Sequence, residues 1–262
     1  MKIKSFLLKI YYWPYLSKEK YDFNQKKIRE TEWNAISGFM QQNIKFLDVG
    51  CGTGYIMEKV KNEFAGDCFG VDPEPLAHGV DKFQDHTQKK LNIVCGIAEH
   101  IPFPEATFDV VYSSHVLEHV DDVLQALLEM KRVLKNNGIL IIGVPTAAMA
   151  WINLLSQLLF TSHIRFFNVL AKPFPFVHKG KTKFINMFIP GSHSPNKANT
   201  IFFDIGFYRI SRWKKTIESC FQVQQTILPA FYPYPEFRQL FKMRKNYRWS
   251  SSVFFISQKK IV

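Results

Sequence analysis

Acidic residues are scarce in the second part of this 262-residue chain. Residues 151–262 hold three of them, Asp204, Glu218 and Glu236, against seventeen Lys and Arg, a balance of +14. Residues 1–150 balance at −2, so the whole net charge of +12 resides in the C-terminal part. Such asymmetry fits a polyanionic partner: nucleic acid, an anionic lipid surface or a phosphorylated substrate. The plainer alternative is a solvated basic face that aids solubility. Cysteine is also scarce. Cys51, Cys68, Cys95 and Cys220 form no C-x-x-C pair, which argues against a disulfide frame or a zinc site and for small buried hydrophobes in a reducing compartment. No apolar run reaches the length of a bilayer. WINLLSQLLF at 151–160 is too short. The N-terminal MKIKSFLLKIYYWPYL is interrupted by Lys9, with no small-residue cleavage site after it, so no signal peptide is expected. The expectation is a cytoplasmic chain, with peripheral contact on an anionic membrane left open. Internal repeats and low-complexity tracts are missing.

What is present is alternation of strand and helix. Residues 1–43 read as a helical, partly basic lead-in, and 44–262 as the main domain. KFLDVG (45–50), CFGVD (68–72), LNIVCG (91–96), FDVVYSS (108–114) and ILIIGVP (139–145) read as strands. The fourth is a continuous apolar run suited to burial on both faces. Helices are expected over 55–64 and 120–134, the second stopped by Asn136-Asn137-Gly138. Residues 146–204 lose the pattern and read as a cap or insertion. The pattern resumes with a helix at 211–219, Ser211 as its N-cap, and strands at 221–228 and 251–258. Strands alternating with helices imply an α/β, Rossmann-like doubly wound sheet.

The first element to carry chemistry is the turn after the first strand. Gly50, Gly52 and Gly54 form G-x-G-x-G between a strand and a helix, where glycines allow a tight turn and close backbone approach to a ligand. Asp72 ends the next strand, placed to accept hydrogen bonds from both hydroxyls of a ribose. A dinucleotide site uses the same geometry. Against that stand the G-x-G-x-G spacing and Asp48, two residues before the first glycine. A carboxylate there suits a ligand's ammonium and would repel a pyrophosphate.

With those residues in view, VGCGTGY, VDPEP, GIAEHIPFPEATFDVVYSSHVLEHVDD and VLKNNGILIIGVP resemble class I S-adenosylmethionine-dependent methyltransferases. The small-molecule branch with the type-11 and ubiquinone-biosynthesis enzymes is most similar, strongly over 44–145 and loosely over 201–228. The resemblance implies seven strands, mostly parallel, with the last antiparallel, and S-adenosyl-L-methionine as cofactor. It implies Asp48, Gly50, Gly52 and Gly54, with Cys51 in the same loop, at the methionine end. Asp72 would hold the ribose, and Pro73 and Ala98 would lie by the adenine. Ser114 and His115 would lie by the sulfonium. The family often has an acidic residue where this chain has Ile97; an apolar contact or a neighbour such as Glu99 must substitute for it, or affinity is reduced.

Methyl transfer from a sulfonium needs positioning more than covalent help. A base is required only for a neutral acceptor. His115, and His193 in a Gly-Ser-His-Ser-Pro turn, are the candidates. His115, Glu118 and His119 spell H-x-x-E-H, an inverted zinc signature, but the motif starts at a strand end and no metal site is assigned. Phe231, Tyr232, Tyr234 and Phe237 are candidates for an acceptor pocket or for simple packing. The expected acceptor is a small molecule or a lipid-linked, saccharide or phosphorylated one. An RNA methyltransferase is the first alternative, disfavoured by the lack of a separate RNA-binding module. A catalytically inactive cofactor-binding partner protein is the second.

Overall fold

The computed structural model describes residues 18–77, 91–160, 201–231, 244–245 and 249–260. His193 and most of the 231–237 aromatic group lie outside these residues. Nine strands run in chain order: β1 (Lys45–Val49), β2 (Asp67–Asp72), β3 (Asn92–Cys95), β4 (Phe108–Ser114), β5 (Leu134–Pro145), β6 (Phe221–Ile227), β7 (Ala230–Phe231), β8 (Arg244–Lys245) and β9 (Ser252–Lys259). Seven form one sheet in the order β3-β2-β1-β4-β5-β9-β6, and β7 and β8 pair separately. β1 to β5 pair in parallel, while β9 runs antiparallel to both of its neighbours. This is the expected mixed seven-stranded α/β sheet.

Period-two alternation gives the sheet two buried faces. Leu47, Val49, Val111, Leu140, Ile142, Val144, Val253 and Phe255 pack on one, with Ala126, Leu127, Met130, Trp213 and Ile217. Phe46, Val110, Tyr112, Ile141, Phe254 and Ile256 pack on the other, with Trp33, Ile36, Tyr55, Ile56, Met57 and Val60. The helices that supply these partners are α1 (Lys18–Ile36), α2 (Tyr55–Phe64), α3 (Val123–Val133) and α6 (Ile210–Glu218). Two more, α4 (Ala147–Phe160) and α5 (Ile201–Phe207), pack on each other in the part read as irregular.

Several local expectations need correction. The helix expected over 120–134 starts later, at Val123, because Asp122 caps it: its carboxylate accepts the Gln125 N–H at 3.0 Å. It stops before the Asn-Asn-Gly segment, at Leu134, whose φ −74° and ψ 139° already belong to a strand. Asn136 to Gly138 instead sit in a register shift of β5, where Phe108 pairs with Leu134 and Val110 with Ile139. Ser211 is not an N-cap. α6 begins one residue before it, after Arg209, with no side-chain cap. Three cysteines are buried as expected, but Cys95 is exposed.

Candidate cofactor site

The order of the sheet makes the site. β1 and β4 are adjacent, and the chain leaves them toward opposite sides, so a crevice opens at their carboxyl ends. A cavity of about 550 Å³ lies there, within the usual size of a small-ligand site. Asp48, Gly50, Cys51, Gly52, Asp72, Pro73, Ser114 and His115 line it, all of them read from the sequence as cofactor contacts. Thr53, Tyr55, Ile56, Tyr112, Val116, His119 and Arg29 line it too.

The glycine turn is built against β2. Gly50 N–H and Cys51 N–H both donate to Val71 O, at 2.7 and 3.2 Å. Gly50 has φ +78°, and a Cβ on it would stand 2.1 Å from Val116 Cγ2, so neither conformation nor space admits a side chain. Gly54, at φ +77°, is the N-cap of α2 and offers no side-chain cap, while the first-turn residues Tyr55 and Ile56 border the cavity. Asp72 is held in place by the turn it serves. Its Oδ2 accepts Gly52 N–H at 2.8 Å and its Oδ1 accepts Glu74 N–H at 2.9 Å. Each carboxylate oxygen keeps lone-pair capacity for a further donor.

Asp48 is 3% exposed. Burial, and the charge of Asp72 beside it, push its carboxyl from 3.8 up to about 8, with Arg29 opposing. The folded chain therefore holds a proton there that the unfolded chain releases. Its stabilising contribution is complete below about pH 4 and is lost as pH rises through about 8. Thermal denaturation of the ligand-free protein is expected to show falling stability across that window, and Asp48→Asn should flatten the fall. A slope unchanged in the variant would refute the assignment.

Arg29 and Glu32, in the segment read only as a lead-in, are part of the site. Arg29 Nη1 donates to Glu32 Oε2 at 2.8 Å and lies 3.5 Å from Ser114 Oγ. A signal existed in the sequence: Ile28, Glu32 and Ile36 share one helical stripe at i, i+4 spacing, and a carboxylate on a core-facing stripe asks for a partner. Glu32 is 1% exposed, and Arg29, His115 and Ser252 hold it ionised well below the usual carboxylate range against the cost of burial.

His115 is set differently from a free base. Its Nε2 lies 3.3 Å from Glu32 Oε1 and its Nδ1 3.5 Å from Glu118 Oε1. Burial and Arg29 push its pKa down, but hydrogen bonding to the two carboxylates outweighs them and raises it. With a carboxylate facing each ring nitrogen, the imidazole is engaged on both sides and is not placed as a free base. The H-x-x-E-H segment thus gathers around Glu118, with His119 Nε2 4.0 Å from the same Glu118 oxygen. Three expected contacts, Gly54, Ala98 and Glu99, are not among the residues that line the cavity. Ala98 is packed in the core with Ile101 and Leu127. Glu99 Oε1 accepts Asp121 N–H and Asp122 N–H, at 2.9 and 3.3 Å, and so braces the turn before α3. Ile97 is half exposed.

A sheet of this order, with a glycine turn and two acidic strand ends at its crevice, defines the Rossmann-like methyltransferase fold. Residues 47–142 match the family model described as a methyltransferase domain. The cofactor such a domain implies is S-adenosylmethionine. Among known proteins the chain is 31% identical over 122 residues to the mitochondrial arginine-hydroxylase NDUFAF5 of Rattus norvegicus, covering 47% of this chain and 35% of that one. It is 32% identical over 135 residues to the ubiquinone biosynthesis O-methyltransferase of Pelagibacter ubique, covering 48% and 55%. The chain thus spans between a third and about half of the length of these relatives. In fold it is similar to a structure from Thermotoga maritima described as a possible histamine N-methyltransferase, with TM-score 0.57, 16% identity, and coverage of 92% and 94%.

The residues present fit that cofactor. A methionine end carries an ammonium and a carboxylate, and the cavity offers a buried carboxylate, Asp48, that lacks full compensation and a cation, Arg29. A ribose offers two hydroxyls, and Asp72 is a fixed, buried acceptor.

Proposed function

We propose that the protein is an S-adenosylmethionine-dependent methyltransferase acting on a small-molecule or lipid-linked acceptor. The observation that carries the reading is the pairing of Asp48 with Asp72 across the glycine turn, one acid suited to an ammonium and the other to a diol. The bound cofactor supplies a methyl group on a sulfonium, which is electrophilic without further activation. The chain's own residues bind and orient. Asp48 and Arg29 would hold the amino-acid end, Asp72 the ribose, and Gly50 and Gly52 bring backbone close to the ligand. Ser114 and His115 border the same cavity at the end of β4. With both His115 ring nitrogens facing carboxylates, those of Glu32 and Glu118, an acceptor that loses its own proton, or one already nucleophilic, suits the site better than one that needs a histidine base.

Support for an apolar acceptor comes from α4, which follows β5 directly. None of its fourteen residues is charged. Trp151 and Leu155 are exposed on it, as is Phe202 on α5. The basic balance of 151–262 supports an anionic group on that acceptor or an anionic surface around it. No helix among the described residues is long and apolar enough to cross a membrane, and peripheral contact is the form of membrane association consistent with the exposed aromatics. The RNA reading draws only on the same charge.

Binding should also move a proton. A ligand ammonium beside Asp48 favours its ionised form, so calorimetry below pH 8 in buffers of different ionisation heat should register release of up to one proton. Heat independent of buffer would count against Asp48 as the ammonium partner. The decisive test of function is transfer of labelled methyl groups into fractionated extract. Label in the lipid or small-molecule fraction is expected; label confined to RNA would replace this reading with the alternative, and none anywhere would remove the enzyme reading.

A further inference from the structure

One carboxylate joins three segments that are far apart in the sequence. Glu32, on α1, accepts from Arg29 Nη1 at 2.8 Å and from Ser252 Oγ on β9 at 2.7 Å, and lies 3.3 Å from His115 Nε2 in the turn after β4. His115 passes the connection on to the fully buried Glu118. Arg29, Ser114 and His115 line the cofactor cavity.

Such a cluster is an expensive way to dock a helix. Each ion removed from water costs several kcal/mol, and a well-packed apolar side chain at the same place is often no worse. Ile28, Trp33 and Ile36 already bury an apolar stripe of α1, so helix docking does not require the ions. What the ions add is geometry, since they hold one arrangement of charges and disfavour others. His115 carries a second mark of constraint: its φ is +57°, a strained conformation for a residue with a side chain. Strain of that kind persists only where neighbours fix it.

We propose that Glu32 is a positioning residue of the cofactor site, acting through Arg29 and His115 to lock α1 onto the carboxyl end of β4 and the amino end of β9. The cavity then has its full set of charges only with α1 docked. This rests on the S-adenosylmethionine reading above. Charged His115 donates from both nitrogens, one to each carboxylate. Neutral His115 donates from one and turns a lone pair toward the other carboxylate, which loosens the lock. The groups facing it are Arg29 and Glu32 from α1, Glu118 and His119 from its own turn, Ser252 through Glu32 from β9, and Asp48 from β1 across the cavity. Because His115 titrates above its ordinary value, the lock weakens as the medium becomes alkaline.

The test uses the full chain and S-adenosylmethionine itself, with calorimetric affinity and amide exchange of residues 25–36 as readouts. Glu32→Gln should weaken binding by about 5- to 150-fold, the usual span of coupling between linked sites. In the wild type, the ligand should slow exchange in α1. The ratio of the His115→Gln dissociation constant to that of the wild type should shrink toward one above the His115 titration; this ratio cancels the ligand's own titration. Wild-type affinity in Glu32→Gln, exchange in α1 indifferent to ligand, or a ratio independent of pH would each overturn the proposal. If Glu32→Gln does not fold, the wild-type exchange result decides alone. A wild type that binds no S-adenosylmethionine sinks the cofactor reading itself, a result distinct from binding that Glu32→Gln leaves untouched.

Discussion

Asp72→Ala should bring S-adenosylmethionine binding below detection while leaving the protein folded. A hydrogen bond to a charged acceptor contributes about 1.5–3 kcal/mol, and a ribose presents two hydroxyls. The loss is then about 3–6 kcal/mol, or roughly 100- to ten-thousand-fold in affinity. The substitution also frees the N–H groups of Gly52 and Glu74, which the carboxylate accepts at 2.8 and 2.9 Å, so the turn loses its brace along with the ligand contact. Asp72→Asn separates these effects. Its amide has one acceptor oxygen and must turn an N–H toward either Gly52 or Glu74, and its affinity should fall between wild type and Asp72→Ala. A further consequence is readable without ligand. Asp72 is the second cause of the raised Asp48 carboxyl, so Asp48 should titrate lower in Asp72→Ala by NMR. Retained wild-type affinity in the alanine variant would refute the ribose role.

Gly50→Ala is expected to be among the most destabilising single-methyl additions in the chain. The φ of +78° is costly for any residue with a Cβ, by about 1–2 kcal/mol. The new methyl would stand 2.1 Å from Val116 Cγ2, and overpacking typically adds about 1–3 kcal/mol. Val116 is β-branched and cannot swing aside cheaply. The sum, about 2–5 kcal/mol, corresponds to a fall in Tm of roughly 5–15 °C for a chain of this size. The double variant with Val116→Ala tests the cause. It should recover the steric part and leave the backbone part, so the two substitutions will be strongly non-additive. Additive losses would show that Val116 is not the obstacle.

The parts of this molecule that sequence reveals are those where one stretch carries its own pattern. Each parallel strand is a short apolar run closed by a turn, and the glycine turn with Asp48 and Asp72 is a local signature on consecutive elements. Boundaries decided by a competing local interaction read less well. Asn136-Asn137-Gly138 has the composition of a helix stop, but the helix had already ended at Val133 and the segment became a bulge in β5. Asp122 took the capping role that defines the start of α3. The Arg29–Glu32–His115–Ser252 cluster was the least legible because its members belong to three elements whose proximity exists only after folding. Glu99 shows the converse: its place in a motif suggested a ligand contact, and only the folded chain reveals that its Oε1 also holds two backbone N–H groups of a neighbouring turn.

The position of β9 bears on the order in which the chain acquires structure. This strand is inserted between β5 and β6, pairing Leu140 with Ser257 and Phe221 with Lys259. During synthesis β1 to β5 emerge first, and β6 follows with no partner in place beside it. Until residues 252–259 leave the ribosome, the hydrogen-bonding edge of β5 stays open and β6 has nothing to join. The Glu32–Ser252 contact spans 220 residues, so closing it belongs among the slow, non-local steps of folding. The glycine turn, complete in sequence by residue 54, therefore waits for almost the whole chain before its surroundings are finished. A nascent chain arrested before β9 should expose the β5 edge to chaperones and gain protection there once β9 is released.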